Sequence, residues 1–180
     1  MSDNLEIERL RQKVLTFGKG ELELWKRSVI HDSGLFNQLF QFIFSDDERL
    51  AWRSCWIIDS ASEDFPGLLS NKLTEIINGL LVTNKGSLKR HFTRILCRYP
   101  IPEEYVVPVI DRNLELLSPS EPVAVRVNAM QLLFNIAQEL PDFKGELILV
   151  IGSLMEEGGS KGFINRSAKL LHQLSTFNGS

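Results

Sequence analysis

The chain has 180 residues, 43% apolar and 24% charged, which suits a globular domain with a continuous core and excludes a wholly disordered polypeptide. Twenty Lys and Arg against 23 Asp and Glu give a formal charge of −3, so no global field draws it towards nucleic acid or an acidic membrane. Cys55 and Cys97 form no CxxC and have no His at ligand spacing, which argues against a disulfide framework and against a metal site.

The first residues carry Asp3, Glu6, Glu8, Arg9 and Arg11 in place of a basic segment followed by an apolar run, so neither a secretory signal nor a transit peptide is expected. Helices are expected over 3–17, 21–31 and 35–44. They keep no regular step, and we expect residues 1–45 to form a charge-rich terminal cap. From 46 to 176 a period sets in. Apolar triplets at i, i+4, i+7 occur at Ala51, Cys55, Ile58; Leu88, Phe92, Ile95; Val125, Ala129, Leu132; and Ile164, Ala168, Leu171, separated by 37, 37 and 39 residues. Each triplet is one stripe of a helix and marks its buried face. An early Arg accompanies each: Arg53, Arg90, Arg126 and Arg166.

Second apolar-periodic segments at 68–81, 105–117 and 147–155 lie between the marked helices, so each repeat is a helical pair and the whole is expected to be one domain. Helix starts are signalled by Ser45 with Glu48 as a capping box, by Pro102 before Glu103 and Glu104, by Ser120 before Pro122, and by Ser160 after Gly158 and Gly159. Stops fall at 84–86, 99–100 and 140–141. Pro108 should kink the helix begun at Pro102 or delay its start. Strand signals are nearly absent. The most apolar stretch, 147–155, is about half of the roughly 20 residues that a membrane span needs, and a cytoplasmic location is expected.

Helical pairs at this step, with a small residue at i+4 and an early Arg, resemble HEAT and armadillo-like α-solenoids, whose period is about 40 to 47. The resemblance is carried by residues 122–133, 88–97 and 166–171, covers roughly 46–174, and extends to a small HEAT-like family of Bacteroidetes-type bacteria. It implies an all-α fold, a right-handed α-solenoid or α-α superhelix, with no catalytic residue, cofactor or metal. It also implies a non-enzymatic scaffold that binds a protein or peptide partner. The partner groove would be framed by polar positions of the second helices: Asn71, Lys72, Glu75, Asn78, Asp111, Arg112 and Glu115.

The rival reading is nucleic-acid binding. Lys85, Lys89, Arg90, Arg94 and Arg98 occur with His91 in an acid-free run. On a helix Arg90, Arg94 and Arg98 form one ridge opposite Leu88, Phe92 and Ile95, suited to phosphates. The bland alternative is a solvated face neutralised by Glu103, Glu104, Asp111 and Glu115. Trp52, Trp56 and Asp59 invite comparison with HEAT-like DNA alkylation-repair glycosylases, but the spacing differs and the later Trp is missing, so packing of the rings is favoured. The segment 158–162 lacks the P-loop order and reads as a turn. His31, His91 and His172 are scattered, without a metal-binding or nucleophile motif.

Overall fold

A computed structural model describes residues 2–176, and among them the regular structure is entirely helical. Ten α-helices follow in order: α1 Ser2–Thr16, α2 Leu22–His31, α3 Ser33–Phe42, α4 Glu48–Asp64, α5 Leu73–Val82, α6 Gly86–Leu96, α7 Val106–Glu115, α8 Val123–Glu139, α9 Pro141–Glu157 and α10 Lys161–Thr176. Three short 3-10 turns, Lys19–Glu21, Pro66–Leu69 and Glu103–Tyr105, complete the order.

Local chemistry accounts for the boundaries. Asp32 and Asp47 accept hydrogen bonds from the Leu35 and Leu50 amides at 2.9 and 3.1 Å, each satisfying a donor that the first helical turn leaves open. The cap of α4 is therefore Asp47 and not the expected Ser45, whose hydroxyl accepts from the Asp47 amide instead. The start of α7 is delayed as expected: a 3-10 turn follows Pro102, and Pro108 sits in the first turn of the α-helix that begins at Val106, where its missing N–H costs nothing. Before α10, Gly158 and Gly159 take φ of 83° and 156°, and the Ser160 hydroxyl accepts from the Phe163 amide.

The chain divides into two compact units, Met1–Arg98 and Tyr99–Ser180. In the first, α4 is the hub, packed against α1, α2, α3 and α6, while α5 packs on α6. In the second, α7 and α9 pack on α8, and α10 packs on both α8 and α9. First helices of successive pairs thus lie directly against each other, α4 on α6 and α8 on α10.

The first three registers are the buried faces anticipated: Ala51, Cys55, Ile58, Phe92, Ile95, Ala129 and Leu132 are at most 1% exposed. The fourth requires correction. Ala168 is exposed and Ile164 and Leu171 are half-buried, whereas Phe163, Ser167, Leu170 and Leu174 are buried. The true register starts one residue earlier, at Phe163. Ser167 holds the place of Ala129, with its hydroxyl donating to the Phe163 carbonyl at 3.0 Å.

Two of the early arginines serve a common structural purpose. Arg53 donates to the carbonyls of Val14 and Phe17 at the end of α1, with its guanidinium 4.1 Å from the Phe17 ring centroid. Arg126 donates to the Leu117 carbonyl beyond α7 at 2.9 Å and lies 4.0 Å from the Phe163 ring centroid. Both bring positive charge to the negative end of a preceding helix, where carbonyls lack intrahelical partners.

Candidate interaction sites

The most concentrated chemistry lies between α4 and α6. Asp59 is 0% exposed. Its Oδ2 lies 2.6 Å from His91 Nδ1 and 2.8 Å from Arg94 Nε, and its Oδ1 accepts from Arg98 Nη2 at 2.8 Å. Arg98 also donates to the Ser62 hydroxyl at 2.8 Å, and Arg94 reaches Glu63 at 3.6 Å. Burial opposes ionisation of Asp59, but the hydrogen bond and charge of His91, the hydrogen bond from Arg98 and the charge of Arg94 outweigh it, so the carboxyl titrates below the ordinary 3.8. The same burial pushes the neighbouring Cys55 thiol well up, reinforced by the Asp59 charge, leaving an inert core thiol.

This cluster revises the reading of the basic run. Arg94 and Arg98 do not stand out on a free ridge; they fold onto Asp59 and Glu63 of the preceding helix. Lys89 and His91 are buried, and Lys85 donates to the Ser45 carbonyl at 3.2 Å. Arg90 remains exposed. For Arg94 and Arg98 the neutralising acids come from α4. Sequence reasoning looked for an outward-facing ridge and did not ask which buried acid the arginines served.

Of the polar groove positions, Asn71 and Asn78 are exposed. Lys72 pairs with Glu75 at 2.8 Å and lies 5.1 Å from the Phe40 ring centroid. In the second unit Asp111 is exposed and Arg112 pairs with Glu115 at 2.8 Å. Both ion pairs are three residues apart on one helix, so each is neutralised locally.

Trp52 and Trp56 stack with centroids 5.9 Å apart, and Trp56 stacks on Phe17, which also meets Trp25. The rings join α4 to the end of α1 and to α2. Asp59 lies on the same stripe of α4 but beneath His91, Arg94 and Arg98, so no open cleft brings it together with the two Trp rings. Among the described residues no group of three or more His, Cys, Asp or Glu is arranged to hold a metal ion, and no helix is long and apolar enough to cross a membrane.

An apolar groove that sequence reasoning missed runs beside α1 in the first unit. A cavity of about 460 Å3 is lined by Leu10, Phe17, Leu24, Trp25 and Leu35 together with the polar Lys13, Thr16, Glu21 and Ser28. A second, of about 540 Å3, shares Leu10 and Leu35 and adds Ile7, Gly34 and Gln38, with Glu6 and Asp32. Leu24 is 65% exposed. The available signal was Leu24 itself, an apolar residue off the stripe that Trp25 and Val29 define.

A family model described as a HEAT repeat domain matches residues 9–174. No curated protein and no solved structure matches the chain significantly. The match begins within α1 and ends within α10, so it takes in more of the N-terminal helices than the repeat period alone reached. The all-helical architecture and the matched span agree, and the chain belongs to the HEAT repeat domain family.

Proposed function

We propose that this protein is a non-enzymatic helical-repeat scaffold that binds a protein or peptide partner. The observation that carries the reading is the open apolar groove beside α1, where Leu24 and Trp25 offer surface that no other element of the first unit covers. Exposed apolar surface gains free energy when a partner removes it from water. Support also comes from the fate of the polar groups: the carboxylate best placed for chemistry, Asp59, has both oxygens engaged and no accessible surface. The HEAT repeat fold, which commonly serves in protein interaction, is consistent with this.

The test is affinity capture from the protein's own source cells with the wild type and with Leu24→Glu. Leu24 is mostly exposed, so the variant keeps its fold, which its melting temperature verifies. A specific partner retained by the wild type and lost in Leu24→Glu is the expected result. The polar positions on α5 and α7 provide the competing location, probed by Lys72→Glu, Asp111→Lys and Arg112→Glu. Capture unchanged in every one of these variants contradicts a partner site on either surface.

A further inference from the structure

The second unit holds a smaller cavity, of about 240 Å3, between the 99–106 segment and the C-terminal half of α8. Leu132 and Ile136 of α8, which are buried, form its base, and Pro100, Ile101, Val106 and Leu140 stand around them. Two carboxylates, Glu103 and Glu139, and the polar side chains of Tyr99 and Asn135 complete the lining, and no Lys, Arg or His contributes to it. The two carboxylates are exposed and come from different elements, beside a largely apolar interior.

The helix that forms the base adds a second negative contribution. The C-terminal end of a helix carries a partial negative charge and is stabilised by a nearby cation. At two other helix ends the chain supplies one: Arg53 at the end of α1 and Arg126 at the end of α7. The last turn of α8 carries no basic residue and instead holds Glu139, and the following helix opens with the acidic Asp142. This corner is therefore left with carboxylates and a helix C-terminus of the same sign, beside apolar walls.

We propose that this cavity docks an arginine side chain presented by the protein partner. The inference deepens the scaffold reading and rests on it. An arginine combines an aliphatic stem, which would lie along Val106, Ile136 and Leu140, with a planar guanidinium whose five donors can serve two carboxylates at once. It is preferred over lysine because the guanidinium is more weakly hydrated and gives up less on entering an apolar-walled site. A neutral or acidic side chain leaves Glu103 and Glu139 without a counter-charge.

The experiment uses the full chain and nitrogen-15 amide spectra. The probe is a terminally blocked pentapeptide with arginine between two leucines; matched peptides carry lysine, citrulline or glutamate at the centre. The arginine peptide is expected to shift amides within 99–106 and 132–140, saturably and less strongly as salt rises. Lysine should bind more weakly, and citrulline and glutamate should produce no saturable shift. Replacing both carboxylates, by Glu103→Gln with Glu139→Gln, should weaken arginine binding at least about tenfold. Both side chains are exposed, and an otherwise unchanged spectrum verifies that the variant folds.

Absence of saturable shifts with the arginine peptide overturns the proposal. So does equal binding of the citrulline or glutamate peptide, or binding undiminished in the doubly substituted protein. The scaffold reading is judged separately, by partner capture that depends on Leu24. Capture that persists while the peptide fails removes the arginine site and leaves the scaffold. Loss of both removes both.

Discussion

The contact of α4 with α6 in the first unit and that of α8 with α10 in the second occupy equivalent places in the repeat, yet they are built from different chemistry. Counting from the register starts, Asp59 falls at the same position as Leu96 and Leu133, both 0% exposed. Opposite Asp59 stand His91 and Arg94 of α6 and Arg98 just beyond it; counted from Phe163, the same positions of α10 are Arg166, Lys169 and Gln173. A leucine stands in place of the acid, so the basic residues of α10 meet no carboxylate at that position. In the second unit Leu133 of α8 is buried, and α8 meets α10 through the Met130 sulfur 3.5 Å from the Ser167 hydroxyl and a hydrogen bond from Arg166 to Gln131. One backbone arrangement thus accepts either a buried leucine or a buried carboxylate at this position, provided that the carboxylate is paired.

The largest expected effect breaks that pairing. Asp59→Ala leaves three cationic or cation-forming groups facing each other across a buried space and should cost about 3 to 5 kcal/mol in denaturant unfolding. Removing the stranded cations should recover most of the loss: Asp59→Leu combined with His91→Asn, Arg94→Gln and Arg98→Asn gives the contact a leucine and uncharged partners, the residues that α8 carries at the corresponding positions. Failure of the combined variant to exceed Asp59→Ala in stability would show that the loss does not come from stranded cations.

Next in size is the register of the second unit. Ser167→Leu and Ala129→Leu should each overpack a buried contact and cost roughly 1 to 3 kcal/mol, whereas Ala168→Leu, on the exposed face, should stay within about 0.5 kcal/mol of the parent. Equal melting temperatures for Ser167→Leu and Ala168→Leu would reverse the assignment.

The smallest effects come from glycines within helices. A Cβ at Gly79 would lie 2.8 Å from Phe92 and 3.1 Å from Phe44, so Gly79→Ala should destabilise the first unit even though alanine favours the helix by up to about 1 kcal/mol. At Gly145 and Gly152 of α9 nothing lies within 4 Å of an added Cβ. Alanine there should stabilise by about 0.4 to 1 kcal/mol, chiefly by restricting the unfolded chain. A loss of stability at either position would mean that α9 needs its glycines for another reason.

Much of this architecture is legible in the residues, because apolar spacing reports burial directly: the period, the ten helices and three of four registers follow from it. The slip in α10 has a physical cause. Ile164, Ala168 and Leu171 satisfy helical spacing as well as Phe163, Ser167 and Leu170 do, and the buried member at the central position is a serine, whose hydroxyl is satisfied by its own helix and so does not betray its burial. Asp59 is conspicuous in the sequence only beside Trp52 and Trp56, and its burial and basic partners are hidden for a related reason. Apolar periodicity has no means of marking a buried acid, and its signal lies 32 to 39 residues away in His91, Arg94 and Arg98. The groove beside α1 depends on which helices leave gaps between them, a property of packing and not of any one helix.

The claim on which the account most depends is that Asp59 is a sealed, ionised structural group. Its folded titration lies below that of an ordinary aspartate, so its contribution to stability is present above the unfolded value of 3.8 and is lost as pH falls through the lower folded value. The decisive measurement is the unfolding free energy of the wild type and of Asp59→Asn from neutral pH down to the acid limit of folding. The account predicts a wide gap at neutral pH that closes as the solution is acidified. A gap that is small at neutral pH, or that stays constant on acidification, would contradict it.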